Sequence, residues 1–107
     1  MIYISVPDKN DSVSRITLSG KEYYIRFTHN PTYDYWSFGL YKTNMTPILP
    51  MTKIVPFSPL TYFYTYTDLP DGDFGCFSAD ETVGRNAFKE NRAKFVYIPN
   101  SDLKEGA

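Results

Sequence analysis

The sequence predicts an all-β fold, a small antiparallel β-barrel or β-sandwich of about seven short strands with at most one short helix. Three observations lead there. Ten Tyr, eight Phe and one Trp make the 107-residue chain 18% aromatic, and aromatic side chains favour the pleated, half-buried surface of a strand. Polar and apolar residues alternate with a period of two in several runs, so that one face of each can be buried. Proline and glycine recur at intervals too short for helices between them.

Ile2-Tyr3-Ile4-Ser5-Val6 is a β-favouring run stopped by Pro7, and Asp8 to Ser12 reads as a polar loop. Ser14-Arg15-Ile16-Thr17-Leu18 then alternates, Ser19-Gly20-Lys21 turns, and Glu22 to Thr28 resumes the alternation. Two such runs across a short Gly-containing gap predict a hairpin. Its core face is Ile16, Leu18, Tyr23, Ile25 and Phe27, with Arg15, Thr17, Tyr24 and Arg26 outward. A Pro-containing turn from His29 to Asp34 leads into Tyr35–Tyr41, where Trp36, Phe38 and Leu40 share the face that continues the core. Tyr35, Ser37, Gly39 and Tyr41 face the other way. Thus YDYWSFGLY, five rings in nine residues, reads as a core strand with tyrosines to spare.

Pro47, Pro50, Pro56 and Pro59 exclude a helix or a long central strand and suit short edge strands. Leu60 to Thr67 is a strong strand candidate, with Tyr62, Tyr64 and Tyr66 on one face and Thr61, Thr65 and Thr67 on the other. Asp68 to Asp73 is a turn cluster, and Phe74–Phe77 a short strand. Ser78-Ala79-Asp80-Glu81 has the form of a capping box, but Gly84 and Asn86 weaken any following helix, so a loop is expected across 78–93. Lys94–Ile98 is the final strand.

The length suits one domain, residues 1–99, followed by a polar tail, residues 100–107. Net charge is −1, which predicts no general attraction to nucleic acid or anionic membrane. The first residues lack the basic region of a signal peptide. No apolar run approaches the length that spans a bilayer, so a soluble chain is expected. Cys76 is the single cysteine, which rules out an internal disulfide and a multi-thiolate metal site.

Chemistry finds few footholds. His29 is the only histidine, and neither it nor Cys76 has a local partner that would make a nucleophile–base pair. Cys76 reads as a buried, inert thiol. Asp68, Asp71 and Asp73 lack the spacing of a calcium loop, and a turn explains them. There is no phosphate-binding loop or nucleophile elbow. No enzyme activity, metal or cofactor is implied. The excess of tyrosine remains. Tyr62, Tyr64 and Tyr66 can pack between sheets, form a protein interface, or stack a sugar or base. The row lacks the interleaved Lys or Arg that phosphate attraction would use. A small binding module for a glycan or a single nucleic-acid strand is therefore the alternative to an interaction protein.

Leu18, Gly20 and Tyr23 form an L-x-G-x-x-Y hairpin, Asn30 lies in the following turn, Trp36 centres the next strand, and Val96-Tyr97 closes the last one. This arrangement, over roughly residues 14–99, resembles the small baseplate plug proteins of contractile-tailed bacteriophages and prophages. The chain departs from their pattern at Pro47-Ile48-Leu49-Pro50, in place of a glycine-flanked turn, and at His29, in place of an aromatic ring before Asn30. The resemblance implies a non-enzymatic virion component of the tail baseplate, made in the bacterial host cytoplasm. It would sit near the central hub, singly or in several copies, against other baseplate, hub or tail-tube proteins. It carries no catalytic residues and no cofactor. Tyr35, Tyr41, Tyr62, Tyr64 and Tyr66 are the expected contact residues.

Overall fold

A computed structural model describes residues 1–57, 60 and 68–101. They form seven strands: β1 (Ile2–Ile4), β2 (Asp11–Leu18), β3 (Lys21–Asn30), β4 (Tyr35–Tyr41), β5 (Pro47–Lys53), β6 (Gly72–Ser78) and β7 (Ala93–Pro99). Two antiparallel sheets, ordered β2-β3-β4-β5 and β1-β7-β6, pack face to face. No ladder among the described residues joins them into a closed barrel, so the architecture is a sandwich.

The hairpin is longer than its alternation suggests. β2 pairs β3 from Asp11↔Thr28 to Leu18↔Lys21, so the loop is two residues, Ser19 and Gly20. Both have positive φ, 50° and 81°, the type I′ geometry whose twist matches the strands it joins. Asp11 and Ser12, expected in a loop, belong to β2. His29 and Asn30, expected in a turn, close β3 by pairing with Trp36 and Tyr35. The turn itself is Pro31 to Asp34. Asn30 Oδ1 organises it, accepting the amides of Thr32 at 2.9 Å and Tyr33 at 3.2 Å.

β5 is an edge strand carrying Pro47 and Pro50, as the ladder's tolerance for proline requires. Its register against β4 shifts twice. Each shift adds a residue on β5, which brings Ile48 and Leu49 to the core consecutively. The strand foreseen over residues 60–67 lies, apart from Leu60, outside the described residues. Residues 79–92 form a run of turns. Ser78 Oγ accepts the Asp80 amide at 3.0 Å, and no helix follows.

Aromatic rings fill the space between the sheets. Phe27 and Phe38 of the larger sheet meet Phe95 of the smaller at centroid distances of 5.3 and 4.9 Å, and Phe38 meets Phe74 at 5.0 Å. Their edge and tilted geometries suit the quadrupoles of the rings. Leu18, Tyr23, Ile25, Phe27, Trp36, Phe38 and Leu40 are all buried. Ile16 is only half-buried at the margin of the core, which corrects its expected place. It lies on the edge strand of a four-stranded sheet that a three-stranded sheet faces, so the cover runs out there. The smaller sheet reaches back through Tyr97, whose hydroxyl is 2.8 Å from Ser19 Oγ in the hairpin turn. Burial raises the Tyr97 phenol above its ordinary pKa.

Candidate interaction surface

The polar side chains that sequence reading weighed for chemistry are engaged in holding the fold. His29 is nearly buried and donates from Nε2 to Asp34 Oδ1 at 2.8 Å. Asp34 stands at φ 52° and also accepts the Arg85 amide at 2.9 Å. Hydrogen bonds from His29, and then from that amide, hold the Asp34 carboxyl below the usual carboxylate range. Arg85 continues the network, donating to Asn10 Oδ1 at 2.7 Å and Asp8 Oδ1 at 2.8 Å. Its guanidinium lies 5.3 Å from the centre of the Trp36 ring, within cation–π range. Trp36 donates from Nε1 to the Gly84 carbonyl at 3.0 Å and packs edge-on to Phe88 at 5.9 Å. The arrangement pins the 79–92 segment over one end of the sandwich.

Cys76 sits in β6 of the opposite sheet, buried, with its thiol pushed up to about 11 by desolvation. The structure gives His29 and Cys76 separate partners and does not bring them together as a nucleophile and base. The three aspartates of the turn cluster are also spent separately. Asp68 pairs with Lys42 at 3.3 Å, Asp71 accepts from Asn100, and Asp73 accepts the Phe74 amide at 2.8 Å.

The outward face of the larger sheet carries Val13 and Met51 among the exposed large hydrophobics, while Tyr3 and Phe77 are exposed on the smaller sheet. Tyr35 and Tyr41 both stand on the outward face of the larger sheet, half-buried. Lys53 Nζ is 4.9 Å from the centre of the Tyr35 ring. Arg26 clamps Asp11 through two hydrogen bonds of 2.9 and 2.7 Å, with Tyr41 nearby. Asp11 foremost, and then Tyr41, raise the Arg26 pKa. Tyr24 is opposite Tyr41 in register and Val13 opposite Arg26, while Met51 reaches over Gly39 from β5. Tyr62, Tyr64 and Tyr66 lie outside the described residues.

Sequence reading missed Val13, Met51 and Lys53 as members of this face. Val13 was within reach, since the alternation of Arg15 and Thr17 extends to it by two residues. Met51 lies within the second register shift of a proline-containing strand and Lys53 beyond it, where a period of two no longer predicts the side.

Comparison with known families gives one match: a family model described as cyanophage baseplate Pam3 plug gp18 aligns with residues 1–100. No curated protein matches the chain.

Proposed function

This chain belongs to the phage baseplate plug family, and from that membership we propose that it works without catalysis, as a plug near the central hub of the tail. Membership supports a structural role in the virion tail, in association with other baseplate or hub proteins. The observation that carries the reading is the match across residues 1–100.

The outward face of the four-stranded sheet supplies the contact in this reading, through Tyr35 and Tyr41, with Tyr24, Arg26 and Met51 around them. Tyr, Met and Arg are the types that interfaces favour. Each covers much area, and Tyr and Arg keep polar tips that can be paired. The net charge of −1 suits a component held by shape and rings more than by a long-range field.

Quantitative mass spectrometry on purified particles of the phage or prophage that encodes the chain tests the location. A few copies per particle, varying in step with other baseplate proteins, is the expected result. Absence from particles, with the chain free in the lysate, would defeat the proposal. Complementation with Tyr35→Ala/Tyr41→Ala tests the face: the variant should fold but enter particles less efficiently than wild type.

A further inference from the structure

We propose that β2 is a self-pairing edge, through which two copies of this chain join antiparallel into one continuous sheet. The four sheet edges differ in what they leave open. β5 carries Pro47, Pro50 and two register shifts, which spoil it as a pairing template. The edge of β6 is covered by its own chain, since Phe57 N–H donates to the Cys76 carbonyl at 2.8 Å and Leu60 N–H to the Phe74 carbonyl at 2.9 Å. β1 has only three residues. β2 has eight, in regular register with β3, and no described strand lies along its other side. Long regular edges attract a further strand unless something opposes it.

The side chains of β2 identify a second copy as that strand. Asp11, Val13, Arg15 and Thr17 point outward and are exposed, Val13 at 49%. Antiparallel pairing about a two-fold axis between the two Val13 residues sets Val13 against Val13 and Asp11 against Arg15, twice. Neighbouring registers lose the pairing of opposite charges. Centring on Asp11 or Arg15 opposes like charges, centring on Ser12 sets Arg15 against Lys9, and centring on Ser14 sets Val13 against Arg15. Odd shifts would turn inward side chains outward. Both charged groups have capacity for the new contact. Asp11 already accepts from Arg26 and Arg15 donates through Nη2 to Glu22 Oε2, but a carboxylate and a guanidinium each offer more sites than these.

The inward face agrees independently. Among the described residues, Ser12 Oγ is the buried side-chain polar atom without a hydrogen-bond partner. The same register places Ser14 of the second copy opposite Ser12, within reach of a cross-strand hydroxyl pair. Pairing of the purified chain with itself is independent of the plug assignment.

Sedimentation equilibrium on the full chain should show a concentration-dependent dimer. Val13→Cys should form a disulfide-linked dimer under mild oxidation, and Thr17→Cys should not. Asp11→Arg and Arg15→Asp should each be folded, by near-ultraviolet circular dichroism, and monomeric. Their equimolar mixture should recover the dimer, because each then offers the charges the other needs. A wild-type monomer up to about 1 mM, the scale of the weakest specific contacts, would overturn the inference and leave the edge for a strand of another chain. So would a dimer indifferent to both charge changes, or one that Val13→Cys fails to link.

Discussion

Replacing Trp36 separates two contributions that the structure places on one ring. The side chain is 1% exposed, donates to the Gly84 carbonyl at 3.0 Å, and contacts the rings of His29 and Phe88 at 5.2 and 5.9 Å. Trp36→Phe keeps a ring but removes the donor and part of the area. The lost hydrogen bond costs about 1 kcal/mol and the lost apolar area roughly another 1 kcal/mol, so about 2 kcal/mol is expected. Trp36→Ala adds a cavity and belongs in the range of about 3–5 kcal/mol for large aromatics, enough to unfold a domain near the low end of ordinary stability. Urea denaturation followed by far-ultraviolet circular dichroism reads both, with m unchanged if only stability moves. Amides of residues 84–88 should exchange faster in Trp36→Phe, because the carbonyl that tethers them loses its donor. A loss below about 0.5 kcal/mol for Phe and below about 1 kcal/mol for Ala would put the ring on the surface.

Gly72→Ala should cost about 1–3 kcal/mol in the same assay, on the scale of overpacking. A Cβ there would lie 2.6 Å from both the Ile98 carbonyl and the Tyr97 ring, and neither can yield easily; a neutral result would show that β6 and β7 can separate at little cost. The carboxyls of Asp8, Asp11 and Asp34 are held below the usual carboxylate range by Arg85, Arg26 and His29 respectively. Their folded pKa values are depressed, so the stability they add is present above about pH 4 and is lost as pH falls through the lower folded values. Asp8→Asn/Asp11→Asn/Asp34→Asn should therefore flatten the fall in stability between about pH 4 and pH 2, and an unchanged acid limb would refute the linkage. Cys76, with a thiol near 11 and 2% exposure, should resist a thiol reagent at about pH 8, below that thiol's range, until urea unfolds the chain; prompt labelling of folded protein would mean that β6 opens locally.

What could be read from the residues followed from local repetition. The alternation from Arg15 to Phe27 and from Tyr35 to Tyr41 shows which side chains point toward the core, because both hairpin strands and β4 pack one face against the same aromatic layer. Strand ends were harder. Asp11 and His29 look like loop residues, yet each sits in a ladder, with Asp11 held by Arg26 on the neighbouring strand and His29 by Asp34 across the turn. The contacts that fix the 79–92 segment run between residues 48 to 77 positions apart, and no local period signals them. Ile16 was misplaced for a related reason. Alternation shows which way a side chain points, while its burial depends on whether the opposing sheet extends that far. Of the outward face of the larger sheet, Tyr35 and Tyr41 could be read from alternation, while Met51 and Lys53 could not, because the register shifts of β5 change the side each residue takes.

β4 carries both aspects of the protein on a single backbone, and this makes the assembly reading testable in isolation. Trp36, Phe38 and Leu40 face the core, while Tyr35 and Tyr41 face out. A slip of one residue would exchange the two sets. The register is fixed on one side by the two-residue hairpin turn and the β3 ladder, and on the other by the bulged pairing with β5. Substitutions on alternate positions of one strand should therefore give different defects. Changes at Phe38 or Leu40 act first on stability, and reach assembly only by lowering the amount of folded chain. Changes at Tyr35 or Tyr41 leave buried packing in place and should act on incorporation at nearly constant melting temperature. A stability loss at Tyr35 or Tyr41 as large as that at Phe38 would mean that the outward rings hold the sheet itself, and the contact surface would then have to lie elsewhere.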